Sequence, residues 1–156
     1  MNLPDRPRAL ILLPVLTLCL LPATAFAIDK EAPQDPQAVS QLETRAQQAS
    51  PREQCFLYTE LVHSMTELAG QQIMAGEYEK AGATLKGVER YTHLIHLGLS
   101  HDTRRLKSAQ MLMHHTAYRL GEYLHAAPSE DRPVLQATLK QLDQVQDELL
   151  TQVFIH

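Results

Sequence analysis

Histidines spaced for one face of a helix are the residues of this chain best placed to do chemistry. The chain holds eight histidines, and Glu89, His93 and His96 follow one another at spacings of four and three. In a helix those spacings put three side chains on one face, where neutral imidazoles bind Zn²⁺ or Cu²⁺ once a further ligand arrives. The same spacing also fits a solvent-facing flank in which Glu89 pairs with His93. We favour the flank, and the Zn or Cu site is the alternative.

Two Glu-x-x-His pairs, Glu60 with His63 and Glu122 with His125, form a second pattern of metal ligands. Ferritin-like di-iron bundles use such pairs on two helices. Here the two histidines lie at different heights along their helices, offset by roughly 16 Å at about 1.5 Å per residue. Each pair also lies opposite the apolar stripe of its own helix. We therefore predict that both pairs face solvent.

A further flank, made of Met111, His114, Tyr118 and His125, is more apolar than a solvent-exposed helix face requires. This composition favours packing on a neighbouring helix or subunit over binding of a cofactor. The sequence has no motif that would attach haem, bind a catalytic zinc, position a serine nucleophile or form a phosphate-binding loop. We therefore expect neither catalysis nor a cofactor, with a metal-binding or haem-binding helical bundle as the alternative.

Apolar residues at alternating steps of three and four predict four long helices, which must position these side chains. The first begins at Ser50-Pro51-Arg52-Glu53, a capping box with proline at the first helical position, and it ends at Gly76. The others are predicted over 78–99, over 106–124 and after Ser129. Short connections between long helices are typical of antiparallel neighbours. The predicted fold is an all-α, up-down antiparallel four-helix bundle over residues 51–156.

An alternative arrangement stacks two αα-hairpins. The segment Ala75-Gly-Glu-Tyr-Glu-Lys-Ala81, between the first two predicted helices, resembles the turn between the two helices of a tetratricopeptide repeat. The resemblance covers one hairpin, because the second helix continues without proline to Leu99 and no later segment repeats the turn. It implies a role in protein binding.

The N-terminal residues 1–27 have the order of a secretory signal peptide. Arg6 and Arg8 precede an apolar run over 9–21, and Ala25 and Ala27 form an A-x-A cleavage site. We predict cleavage after Ala27 and export to the periplasm or the extracellular space. Residues 28–50, rich in Gln, Ala and Pro, are predicted to be a polar linker with one loose helix around 37–48.

Cleavage leaves Cys55 as the single cysteine, because Cys19 lies in the predicted signal peptide. Cys55 falls on the apolar stripe of its helix. Free cysteine is among the most buried residue types, so we predict burial of Cys55 rather than a disulfide to another chain.

The charge of the predicted mature chain narrows the class of partner. Loss of Asp5, Arg6 and Arg8 changes the formal net charge from −4 to −5. An acidic chain is a poor ligand for nucleic acid, which is bound mainly through its phosphates. No apolar run after the signal peptide reaches the length of a membrane span. The predicted function is an exported, soluble helical module for protein interaction or self-assembly, with a protein or a second copy as its partner.

Overall fold

The computed structural model describes residues 34–99 and 104–155, which contain helices and no strand. These residues form α1 (Pro36–Gln48), α2 (Pro51–Met74), α3 (Tyr78–Gly98), α4 (Leu106–Ala126) and α5 (Arg132–Ile155). The all-α prediction is confirmed. The predicted signal peptide and its cleavage site lie outside the described residues.

Helix α2 begins directly after the predicted N-cap Ser50, but the predicted capping box is not formed, because the Ser50 side chain makes no capping hydrogen bond to the backbone. The Ser50 carbonyl accepts hydrogen bonds from the backbone N–H groups of Glu53 and Gln54, at 2.9 and 3.0 Å. The Ser50 hydroxyl donates to the Glu53 carboxylate at 2.9 Å instead of accepting from a backbone N–H. At the other end, Gly76 adopts a positive φ of 76°, a conformation that glycine reaches without steric cost. Both predicted ends of this helix are therefore occupied by the expected residues.

Helix α1 corrects the predicted number of helices, because the described residues contain five rather than four. An Asp35 side-chain oxygen caps α1 by accepting a hydrogen bond from the Gln37 backbone N–H at 2.9 Å. Val39 and Ala46 of α1 are buried, and α1 packs on α2. The helix expected to be loose within the polar linker is therefore packed. Its two small buried residues are seven apart, a weak signal in a segment dominated by Gln and Ala.

The core follows the predicted apolar stripes. Leu135, Leu142 and Leu149 of α5, predicted at spacings of seven, have no exposed surface, and neither have Val88 and Ile95 of α3. Such steps keep side chains on one face of a helix, so the buried faces of α2 to α5 converge on a common interior.

The first hairpin pairs α2 with α3. The Thr84 hydroxyl of α3 donates to Gln72 Oε1 of α2 at 2.8 Å, and the ring centroids of Tyr58 and Tyr91 are 5.5 Å apart. Thr84 comes before Tyr91 in α3, whereas its partner Gln72 comes after Tyr58 in α2. The two helices therefore run antiparallel. Helices α4 and α5 pack on each other as the second hairpin.

The two hairpins meet through α2 with α4 and through α3 with α5. The side-chain contacts between them include His63 with Thr116, Glu67 with Arg119, Glu89 with Thr138, and His96 with Glu148. From one contact to the next within a helix pair, the residue numbers rise in both helices. Each of these pairs is therefore parallel.

This pairing differs from that of the predicted bundle. An up-down bundle places helices that follow one another in the chain side by side. Within the described ranges, however, α3 does not pack on α4 and α2 does not pack on α5. The up-down arrangement is therefore not confirmed. The periodicity of apolar residues shows which face of a helix is buried, but not which helix covers it.

Replacing Leu142 by Asp is expected to abolish cooperative unfolding. Loss of a buried leucine costs roughly 1.5 to 3 kcal/mol. A buried carboxylate without a cation adds to that cost, against a typical stability of about 5 to 15 kcal/mol. Gln136→Asp is the matched control, because Gln136 is exposed on the same helix. Thermal unfolding followed by circular dichroism compares the two, and equal cooperative transitions would contradict this account of the core.

Candidate functional site

Glu89, His93 and His96, the residues of the predicted metal site, lie on the side of α3 that meets α5. Glu89 and His96 each contact a different residue of α5. His96 Nδ1 is 2.6 Å from a Glu148 carboxylate oxygen, and Glu89 accepts a hydrogen bond from the Thr138 hydroxyl at 3.2 Å. The rings of His93 and His96 are stacked with centroids 6.1 Å apart. Glu89 and His96 therefore take part in contacts between the hairpins, and His93 is exposed.

Metal binding by histidines finds no support in the part of the chain that the structure describes. In residues 34–99 and 104–155, no group of three or more His, Cys, Asp or Glu side chains is arranged to hold a metal ion. Glu89, His93 and His96 stay a sequence-based alternative for Zn or Cu.

His63 corrects the prediction that both Glu-x-x-His pairs face solvent. Its side chain is partly buried, with Nδ1 3.0 Å from the Thr116 hydroxyl and the ring centroid 5.4 Å from that of His115. The reason is that α2 packs on α1, α3 and α4, so more than one of its faces is covered. Glu122 and His125 are exposed, as predicted.

A buried polar cluster joins α2 to α4 beside His63. The side chain of Glu67 accepts hydrogen bonds from Arg119 Nε at 2.7 Å and from Arg119 Nη2 at 2.9 Å, and the residue is only 2% exposed. The Tyr123 hydroxyl donates to the same carboxylate. The Tyr123 ring lies against Gly70, where an added Cβ would be 2.1 Å from ring atom Cζ. Glycine at position 70 thus lets the ring approach α2.

The polar cluster keeps Glu67 ionised and the Tyr123 hydroxyl protonated at neutral pH. Burial by itself disfavours the charged form of Glu67, but hydrogen bonds from Arg119 and Tyr123 outweigh it and hold the pKa of Glu67 below its usual value. Burial, together with the hydrogen bond to the Glu67 carboxylate, raises the pKa of the Tyr123 hydroxyl. A general acid or base works best with a pKa near the working pH. The cluster is therefore suited to holding two helices together rather than to catalysis.

The single cysteine of the described residues is buried, as predicted. Burial raises the pKa of the Cys55 thiol to about 12. Because the thiolate is the nucleophilic form, this cysteine is unreactive near neutral pH.

The flank of α4 that the sequence analysis singled out lies away from α2. Ala109, Met113 and Leu120 mark the buried side of α4. At about 100° per residue, Met111, His114 and Tyr118 lie roughly opposite that side. Met111 is 61% exposed and Tyr118 is 63% exposed. His125 is exposed on the same side. An apolar flank at heptad-like spacing therefore faces outward.

Helix α5 extends this surface. Thr138 faces α3, and Leu150 and Phe154 lie on the far side of α5 with 39% and 82% of their area exposed. His114 Nδ1 of α4 lies 3.2 Å from Gln146 Oε1 of α5, so the two flanks are adjacent. We define the outer face as Met111, His114, Tyr118 and His125 of α4 with Leu150 and Phe154 of α5. The α5 half was not predicted from the sequence. The four-residue spacing of Leu150 and Phe154, beside the buried stripe of α5, could have indicated it.

Charges of both signs border the outer face. On the same sides of their helices, α4 carries Lys107 with His114 and His125, whereas α5 carries Asp143 and Asp147 with Lys140, and all are exposed. Glu122 of α4 and Arg132 of α5 are exposed on the same sides. Each half of the outer face therefore carries charges of both signs.

Comparisons with family models, curated proteins and solved structures do not assign a function. No family model, curated protein or solved structure matches this chain. Among the helices of the described residues, none combines the length and the apolar character needed to cross a membrane. The function must therefore be argued from the surfaces of the molecule.

Gly70→Ala is expected to lower the free energy of unfolding by about 1 to 3 kcal/mol, the usual cost of overpacking, because the new Cβ meets the Tyr123 ring. Gly121→Ala is the matched control. A Cβ at Gly121 meets nothing within 4 Å, and alanine is favoured over glycine inside a helix by roughly 0.5 to 1 kcal/mol. Urea denaturation of both variants is the measurement. If Gly70→Ala proved as stable as Gly121→Ala, the contact of Tyr123 with α2 would be wrong.

Glu67→Gln is expected to lower the free energy of unfolding at pH 7 by about 1.5 to 3 kcal/mol, the usual worth of a hydrogen bond to a charged group. Since folding lowers the pKa of Glu67, the ionised carboxylate stabilises the fold above its unfolded pKa of about 4.3. That contribution is lost as the pH falls through the lower, folded pKa. The gap between wild type and variant should therefore narrow under acid.

Urea titrations between pH 7 and pH values below about 4 measure this gap. Glu122→Gln serves as the control, because Glu122 is exposed on α4 and its removal should change stability by less than about 0.5 kcal/mol at every pH. A gap for Glu67→Gln that stayed constant on acidification would show that Glu67 has no ionic role.

Proposed function

We propose that this chain is an exported, non-enzymatic helical module that associates with a second copy of itself through the outer face. The observation that carries the proposal is the exposure of Met111, Tyr118, Leu150 and Phe154 on one side of the second hairpin. Exposed apolar side chains grouped on one side of a protein and bordered by polar groups are typical of interaction sites. Aromatic residues and methionine are enriched at such interfaces.

A second copy is the occupant we propose, since each half of the outer face carries charges of both signs. A two-fold axis brings the same surface of both copies together. If it places α4 of one copy on α5 of the other, basic and acidic side chains such as Lys107 and Asp147 lie on the facing surfaces. Charges arranged in this way fix the register of an interface and exclude wrong partners.

The proposed architecture is two stacked αα-hairpins, α2–α3 and α4–α5, which was the alternative in the sequence analysis. Its support is the parallel contact of α2 with α4 and of α3 with α5. In stacked-hairpin proteins each unit contacts its neighbours, and terminal units need a covering or polar face. Helix α1 packs on the first hairpin, whereas the outer face belongs to the second. The tetratricopeptide-like turn at 75–81 is in keeping with protein binding.

Export remains part of the proposal. It is supported by the charged, apolar and small-residue segments of residues 1–27. N-terminal sequencing of protein recovered outside the cytoplasm tests it, with Ile28 as the expected first residue. A mature protein that still began at Met1 would refute export by cleavage.

Tyr118→Glu is expected to weaken self-association by at least tenfold, because a carboxylate in an apolar interface loses its hydration without a matched cation. Sedimentation equilibrium across about 1 to 100 µM, a common range for homodimers of modest interface area, measures the dimer fraction. Met74→Glu is the matched control, since Met74 is 69% exposed at the end of α2 and outside the outer face. A wild-type protein that stayed monomeric, or equal weakening by both variants, would overturn the proposal.

A further inference from the structure

A second, separate surface carries a concave site. A pocket of about 830 Å³ opens between α1, the start of α2 and the residues that precede α4. Its walls include Arg45, Arg104 and Arg105, and its apolar side is formed by Phe56 and Leu57. This volume is in the range that small-molecule sites occupy.

The three arginines of the pocket outnumber its one lining carboxylate among the described residues, Glu53. Within residues 34–99 and 104–155, no carboxylate forms an ion pair with Arg45, Arg104 or Arg105. Glu53 also lines the pocket, and its carboxylate accepts a hydrogen bond from the Ser50 hydroxyl. The pocket therefore keeps a net positive charge, with guanidinium groups that suit the geometry of carboxylates and phosphates.

Arg105 is held in place by an unusual backbone. It has a φ of 62°, the only positive φ among non-glycine residues of the described chain. Hydrogen bonds on both sides fix this turn, from the Arg104 N–H to the Arg52 carbonyl and from the Ala109 N–H to the Arg105 carbonyl, each 2.9 Å long. The Arg105 guanidinium carbon lies 3.5 Å from the centroid of the Phe56 ring. Strained backbone of this kind tends to occur where a side chain must be positioned for binding.

We propose that this pocket binds an anionic amphiphile, a molecule with a carboxylate or phosphate head on an apolar body. Arg45, Arg104 and Arg105 supply the donors for the head. Ala49 and the small exposed parts of Phe56 and Leu57, which are 6% and 7% exposed, form the apolar floor for the body. Stacking on Phe56 orients the guanidinium of Arg105. The site lies outside the outer face, so it goes beyond self-association.

Titration calorimetry of the purified protein tests the site with four probes: decanoate, decyl phosphate, neutral decanol and inorganic phosphate. Decanoate or decyl phosphate should bind at least tenfold more tightly than decanol and inorganic phosphate, because only they carry both head and body. The tighter of the two anions identifies the head group. Arg105→Gln should weaken that binding by at least tenfold. Lys140→Gln, which removes the same charge from an exposed position on α5, should leave it unchanged.

Two results would overturn the proposal. One is binding of decanol as tight as that of both anions, which would indicate an apolar surface only. The other is the same affinity in Arg105→Gln as in Lys140→Gln, which would indicate a diffuse charge effect. Thermal unfolding of both variants confirms that each is folded, and Arg45→Gln, on a different helix, repeats the test independently of the turn at Arg105.

Discussion

A carboxylate buried between two helices needs a cation beside it, and in this chain Arg119 of α4 meets that need for Glu67 of α2. Tyr123 donates a further hydrogen bond, and Gly70 leaves room for its ring. These contacts fix both the register and the direction of α2 against α4. Short turns join α3 to α2 and α5 to α4. The parallel contact of α3 with α5 follows from that of α2 with α4.

The two sides of the arrangement differ as a result. Helix α1 packs on α2 and, with the residues that precede α4, forms the arginine-lined pocket. The second hairpin instead presents Met111, Tyr118, Leu150 and Phe154 to solvent. The molecule therefore has exposed apolar side chains on its second hairpin and an arginine-lined pocket beside its first.

The sequence predicted where each helix begins and ends better than it predicted which helices pack on each other. Caps and breakers such as Ser50 and Gly76 mark helix ends because they act through the adjacent backbone. Which helices touch depends on side chains more than 50 positions apart, such as Glu67 and Arg119. His63 was placed in solvent because a helical wheel assumes one covered face, whereas α2 meets three helices. The arginine pocket combines distant segments, so no local spacing indicates it.

A double-mutant cycle between Glu67 and Arg119 tests the parallel stacking most directly. Glu67→Gln, Arg119→Met and the double variant are compared with the wild type by urea denaturation at pH 7. The account predicts a coupling free energy of about 1 to 3 kcal/mol, in the range of residues that share a polar network. Additive effects, with a coupling below about 0.5 kcal/mol, would mean that the two side chains do not meet and would contradict the packing of α2 on α4.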